Sequence, residues 1–254
     1  MKIPKLGVST KILPPACFRN MSKHDFNVWE VNHRESTVHF NEEWIEREHF
    51  KTLLKKYSLS MHSFCSGIFG RNKQFTQTEI SIFKSEILLC KILNAKELIF
   101  HMNFHETEEE KRTVRGFIKL AKKNKVDLAY ESNAHTFDGP TTLKILSTFP
   151  ELYYNLDFGH MNLGLHEGTI GYPLDTFLSK IRNRTIYVHA HNNFGEKDEH
   201  KSLDKGDLDW KHVLDMLDAS KIRKIIAESS NLEDAERTIK LLSDYFKAKK
   251  RKKS

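Results

Sequence analysis

Imidazole and carboxylate side chains crowd one short stretch of this 254-residue chain, TIYVHAHNNFGEKDEHKSLDKGDLDW at 185–210. It opens with Thr185-Ile186-Tyr187-Val188, a β-branched and aromatic run that reads as a buried strand. His189 and His191 stand where that strand should end, and period-two alternation points both to one side. Farther on, Asp198-Glu199-His200 sits in a polar loop punctuated by Gly195 and Gly206. The loop thus returns more nitrogen and oxygen donors to the strand end. A single histidine there would ordinarily be solvated or packed. Two histidines joined by Asp and His point instead to a bound cation.

Such donors need a scaffold, and hydrophobic patterning supplies one. Strands are predicted at 5–9, 26–31, 59–64, 97–102, 126–131, 152–157, 185–189 and 221–228. Helices are predicted at 42–57, 78–93, 108–123, just after Pro140, and at 173–181, 210–217 and 232–246. Helix 108–123 is acidic at its start and basic at its end, as the helix dipole favours. Alternation of this kind implies a parallel sheet, and the count and length predict an α/β fold, a single (β/α)8 barrel over residues 1–246. An open doubly wound sheet is the alternative, but no G-x-G-x-x-G follows any predicted strand.

A barrel of this type carries its chemistry at the C-terminal ends of its strands. His62, His101, Glu131, Asp157, His189 and Glu228 fall at the predicted ends of strands three to eight, with His160 close behind Asp157. Taken singly, each has a bland reading: a satisfied buried histidine, or Asp157-Phe158-Gly159 as ordinary turn chemistry. Taken together, so many titratable groups at one mouth would repel or stay unpaired without a cation. Imidazole and carboxylate without thiolate suit Zn²⁺, Mn²⁺ or a similar divalent ion. His191 is expected behind the ligands or in solvent, Trp210 as packing at a helix start, and 106–111 (ETEEEK) as a solvated helix start.

Composition narrows the setting. Hydrophobic residues make up 39% of the chain and include 17 Phe, enough for a sizeable core. No apolar run approaches the roughly 20 residues that span a bilayer, and 1–10 (MKIPKLGVST) lacks the apolar segment of a secretion signal. A cytoplasmic protein without membrane contact is the expectation. Cys17, Cys65 and Cys90 are widely spaced and read as reduced thiols. Of the net charge of +7, six positive charges lie in the last eight residues, which leaves +1 for the rest. Residues 247–254 are therefore expected to form a disordered basic tail and the only basic footprint for nucleic acid.

The segments MHSF, IFHMNF, LAYES, NLDFGHMNLG, YVHAHNNFGEKDEHKSLDKGDLDW and IIAES resemble, in order, those of the xylose isomerase-like TIM barrel superfamily. That superfamily includes sugar and sugar-phosphate isomerases and epimerases, and family-2 apurinic/apyrimidinic (AP) endonucleases. The resemblance implies a metal site of Glu131, Asp157, His189 and Glu228, as in the isomerases. It implies that His62, His101, His160, Asp198 and His200 are the further ligands with which the endonucleases hold three zinc ions, Glu131 bridging two. One to three divalent ions, zinc or manganese, are the implied cofactor. In the sugar reading, Glu131 and Glu228 are the catalytic acid/base pair that moves a proton between carbons through an enediolate. In the endonuclease reading, the metals activate water against a phosphodiester. Three departures bear on the choice: Asn192 stands where Asp is usual, Asp204 where Gly is usual, and Cys65 where the endonucleases carry a DNA-contacting tyrosine. The near-neutral body and Cys65 favour a small sugar or sugar phosphate as substrate, while the full ligand set favours the endonuclease. A non-catalytic, metal-stabilised barrel is the third reading; it calls for loss of a core ligand, and none of the four is lost.

Overall fold

Eight short strands, all parallel and each paired with its neighbours in chain order, close into a barrel when β1 meets β8. They are β1 Lys5–Ser9, β2 Val28–Asn32, β3 Ser58–His62, β4 Glu97–Phe100, β5 Asp127–Glu131, β6 Tyr153–Asp157, β7 Thr185–His189 and β8 Lys224–Ala227. This is a computed structural model, and it describes residues 3–13, 21–32, 55–63, 75–134 and 137–252. The described helices are α1 Gln77–Ile92, α2 Glu108–Lys123, α3 Gly139–Thr148, α4 Phe158–His166, α5 Leu174–Ile181, α6 Trp210–Met216 and α7 Leu232–Arg251. The predicted helix 42–57 falls mostly outside the described residues, as do Cys17 and Cys65.

The helices stop and start on local chemistry. Thr76 and Glu79 form a reciprocal capping box at α1, and Thr107 and Asn231 cap α2 and α7, each worth about 1 kcal/mol. The apolar faces of the helices pack on the outer faces of the strands, where Trp29, Phe83, Phe149, Tyr154, Phe158 and Phe177 are fully buried. Each large apolar side chain so removed from water contributes roughly 2–3 kcal/mol. Among the described residues, no helix is long and apolar enough to cross a membrane.

Three expectations change. Helix α4 was not predicted, because Gly159 and Gly164 within nine residues depress helix propensity; Asp157 is its N-cap rather than part of a turn. The C-terminal helix runs on to Arg251, so the basic residues 247–251 are its last turns and not a disordered tail. Glu110, read as solvated, is buried and accepts the His105 N–H at 2.8 Å.

Candidate metal centre

Strand alternation explains why the polar groups meet. Val28, Ile99, Ala129, Tyr187 and Ile226, from five different strands, pack as a cluster separate from the main core. Residues from five strands can touch only in the lumen. Two positions further along each strand, the same face presents Glu30, His101, Glu131, His189 and Glu228. His62 and Asp157 close β3 and β6. His160 stands on the first turn of α4, and the loop after β7 delivers His191, Asp198 and His200. A polar layer thus caps an apolar plug.

His189 lies at the centre and is fully buried. Its Nδ1 faces Glu228 Oε2 at 3.1 Å, Glu131 Oε2 at 3.3 Å and Asp157 Oδ2 at 3.5 Å. Ligand atoms of Glu131, Asp157, His189 and Glu228 lie within 4.8 Å of one another. His62, His101 and Glu131 meet the same limit, with His62 Nε2 3.3 Å from Glu131 Oε2 and His101 Nε2 3.6 Å from Glu131 Oε1. On the far side, Asp198 Oδ2 lies 3.3 Å from His160 Nε2 and 2.9 Å from His200 Nε2. All nine residues singled out from the sequence therefore lie in one connected cluster, with Glu131 shared by two of the groups.

The donor chemistry fits a cation. His101, His160 and His200 each place Nδ1 2.7–3.0 Å from a backbone carbonyl, those of Glu131, Ser132 and Glu228. A carbonyl only accepts, so each Nδ1 carries a proton, which leaves Nε2 as the atom that would face a bound ion. For His189 the roles of the nitrogens are exchanged: Nε2 donates to Glu30 Oε2 at 2.8 Å, while Asn155 Nδ2 donates to Nδ1 at 3.0 Å. Ligating histidines are held this way, with the outer N–H tied to a carboxylate or carbonyl. Of the nine buried side-chain polar atoms without a hydrogen-bond partner among the described residues, six are here: Glu30 Oε1, His62 Nδ1, Glu131 Oε1, Asn155 Oδ1, His191 Nδ1 and Asp198 Oδ1. Unsatisfied buried atoms are costly, and four of these belong to candidate ligands or to His191.

The electrostatics agree. Burial alone would raise the Glu131, Asp157, Asp198 and Glu228 carboxyls, yet nearby imidazoles, and Lys11 for Glu228, hold all four below the usual range. Burial would lower His160 and His189, yet the carboxylates push both well above an ordinary imidazole. His101 is lowered by burial to about 4, with His62 and His160 beside it, so it stays neutral. Bases that grip protons this firmly would exchange them for a divalent ion.

Several partners were not foreseen. Glu30 is a charge inside the apolar run FNVWEV, and Asn155 precedes Asp157 by two on the same face; both anomalies are visible in the sequence. Lys11, on the short 3₁₀ turn after β1, places Nζ 2.9 Å from Glu228 Oε1; nothing in the sequence pointed to it. Of the two readings of His191, behind the ligands or in solvent, the first matches its position: it is fully buried and bonds Asp157 Oδ2 at 2.9 Å. Asn192 donates to the Leu203 and Leu208 carbonyls, which a carboxylate could not do. Asp204 pairs with Arg237 at 2.7 Å, and Trp210 packs against Tyr245 as expected.

Residues 18–248 match the model of a family described as xylose isomerase-like TIM barrel. An uncharacterized protein of Methanocaldococcus jannaschii, MJ1311, is 24% identical over 95% of this chain and 89% of its own. Among solved structures, a D-tagatose 3-epimerase-like protein superposes with a TM-score of 0.78 at 19% identity, covering 98% of this chain and 100% of that one. Endonuclease IV from Thermus thermophilus superposes with a TM-score of 0.71 at 14% identity, covering 96% and 100%.

Proposed function

The chain belongs to the xylose isomerase-like TIM barrel family, and within it we propose a divalent-metal-dependent isomerase or epimerase acting on a small sugar or sugar phosphate. The observation that carries this reading is the pair Glu131 and Glu228. Both carboxylates are buried, both face His189 Nδ1, and both belong to the same four-residue ligand group. Glu131, Asp157, His189 and Glu228 would hold the ion, which when bound would supply polarisation of the substrate carbonyl. Glu131 takes a proton from the carbon next to that carbonyl, and Glu228 returns one to the neighbouring position or the opposite face. Asn155, donating to Glu131 Oε2 at 2.8 Å, and Lys11, on Glu228 Oε1, orient the two carboxylates so that each keeps one oxygen for proton transfer. Burial of the ligand layer keeps water from quenching the carbanionic species.

The test is deuterium uptake. Protein loaded with Zn²⁺ or Mn²⁺ is incubated in heavy water with a panel of ketoses and ketose phosphates, and exchange is followed by NMR. Exchange beside the carbonyl of at least one member is expected, with Glu131→Gln and Glu228→Gln each losing about 10²-fold or more. No exchange with any member would sink the reading.

One observation favours a zinc-dependent AP endonuclease as the second reading: Asp198 stands between the Nε2 atoms of His160 and His200, a further ligand set that a one-metal isomerase does not need. Elemental analysis of protein purified without chelator separates the two, one ion per chain for the isomerase and three for the nuclease. Efficient incision of an abasic-site duplex would decide for the latter.

A further inference from the structure

We infer that the N-terminal end of the barrel, opposite the ligand layer, is a second binding site, for a small molecule that carries a chain of phosphate groups. A cavity of about 980 Å³ opens there, at the starts of β1 to β4, with Lys5, Lys55, Lys56 and Lys96 in its wall and, among the described residues, no carboxylate. Small-molecule sites commonly enclose about 300–1,000 Å³.

The absence of acid in that wall is what sets this cleft apart. Other surface clefts carry acids in their walls, such as Asp25, Glu236 and Asp244 in one and Asp127 and Glu151 in another, and several cations elsewhere find carboxylates: Lys205 with Asp234 at 2.8 Å, Arg237 with Asp204 at 2.7 Å, Lys249 with Asp215 at 2.6 Å. Among the described residues, none of the four cleft lysines has such a partner; Lys5 donates to Ser58 Oγ at 3.2 Å, and Lys56 lies 5.2 Å above the Tyr57 ring. The acids close by are already engaged. Glu97 takes Lys224 at 2.9 Å and Asp127 takes Arg223. Lys224 also donates to the carbonyl of Leu59, itself part of the cleft wall, at 2.7 Å. Tyr57, also in the wall, is buried and its hydroxyl has no hydrogen-bond partner among the described residues. Several point-charge ammonium groups spread around one concavity match several anionic phosphates along a short chain better than a single carboxylate. A part-open cleft of this volume holds a short phosphate chain, whereas a nucleic acid would need a continuous basic track.

The experiment is calorimetric titration of the full-length, metal-loaded protein with inorganic tripolyphosphate, ATP, orthophosphate and a short single-stranded oligonucleotide. Tripolyphosphate or ATP is expected to bind one per chain, more tightly than orthophosphate. Lys56→Gln/Lys96→Gln should weaken that binding by about tenfold or more, and Lys249→Gln/Lys252→Gln, on the C-terminal helix, by less than twofold. ATP binding more tightly than tripolyphosphate would identify a nucleoside polyphosphate; equal affinity would identify the phosphate chain alone. Withdrawal of metal by the titrant is common to all variants and cannot produce the difference between them. An unchanged melting temperature checks that the variants fold, as does the milder Lys96→Gln alone. Absence of binding, indifference to the Lys56/Lys96 change, or binding of the oligonucleotide alone would overturn the assignment.

Discussion

A buried imidazole serves as a ligand only if one nitrogen is made to keep its proton, and for His189 that task falls to Glu30. The carboxylate is fully buried on the neighbouring side of the lumen and accepts from Nε2. Glu30→Gln keeps the shape and the acceptor but removes the charge. It is expected to weaken metal affinity roughly 10–100-fold with little change in far-ultraviolet circular dichroism; chelator competition measures it. A second prediction concerns a histidine far from the site. His212 Nε2 lies 2.6 Å from Asp175 Oδ1 on the surface, and that hydrogen bond raises the imidazole above its ordinary value. Because the folded value is the higher one, the contribution to stability is complete below the unfolded value, about 6.5, and fades as pH rises through the folded one. NMR titration should find the His212 midpoint raised, and Asp175→Asn should return it to the ordinary range.

At the scale of elements, α4 shows why two glycines sit in a helix that carries a candidate ligand. A Cβ on Gly159 would lie 2.0 Å from Cε1 and 2.4 Å from Nδ1 of His191, and His191 is packed against Asp157 with no room to retreat. Gly116 in α2 is the opposite case, exposed and with nothing within 4 Å of the added carbon. Gly159→Ala is therefore expected to cost about 1–3 kcal/mol and to weaken metal binding. Gly116→Ala should stabilise by about 0.5–1 kcal/mol and leave metal binding alone. Thermal melts with and without metal read both. The opposite signs follow from packing, since the chemical change is identical.

For the molecule as a whole, charge is divided unevenly. A body of about +1 ends in α7, whose last turns carry Lys247, Lys249, Lys250 and Arg251. Phe246 is the last buried apolar residue of that helix, and beyond it Lys249 makes a surface pair with Asp215. A chain ending at Phe246 is expected to lose no more than about 1 kcal/mol and to keep its metal. It should also lose most of any salt-sensitive, sequence-independent DNA affinity. Incision of an abasic-site duplex that survived this truncation would move the balance to the endonuclease reading.

Period-two alternation and strand count made the barrel, its order and six of the nine candidate ligands legible in the sequence, because a parallel strand's last inward residue must face the mouth of a closed barrel; His160, Asp198 and His200 come from the segments that follow β6 and β7. Hydrophobic patterning also carried most helix limits, as the predicted 78–93 and 108–123 lie within one residue of α1 and α2. Local composition misled at α4, where glycines that argue against a helix in isolation are required by the close approach of His191 to Gly159 and of Phe137 to Gly164. Which groups would support the ligands was decided by tertiary structure alone. Glu30 lies 159 residues from His189, and Lys11 lies 217 from Glu228; only closure of β1 on β8 brings the latter pair together. Pairing of β1 to β4 in order gathers Lys5, Lys55, Lys56 and Lys96 at the far end. Spacing along a chain records which face a residue takes, but which residues share a face across the barrel depends on strand register and curvature, and those are properties of the packed whole.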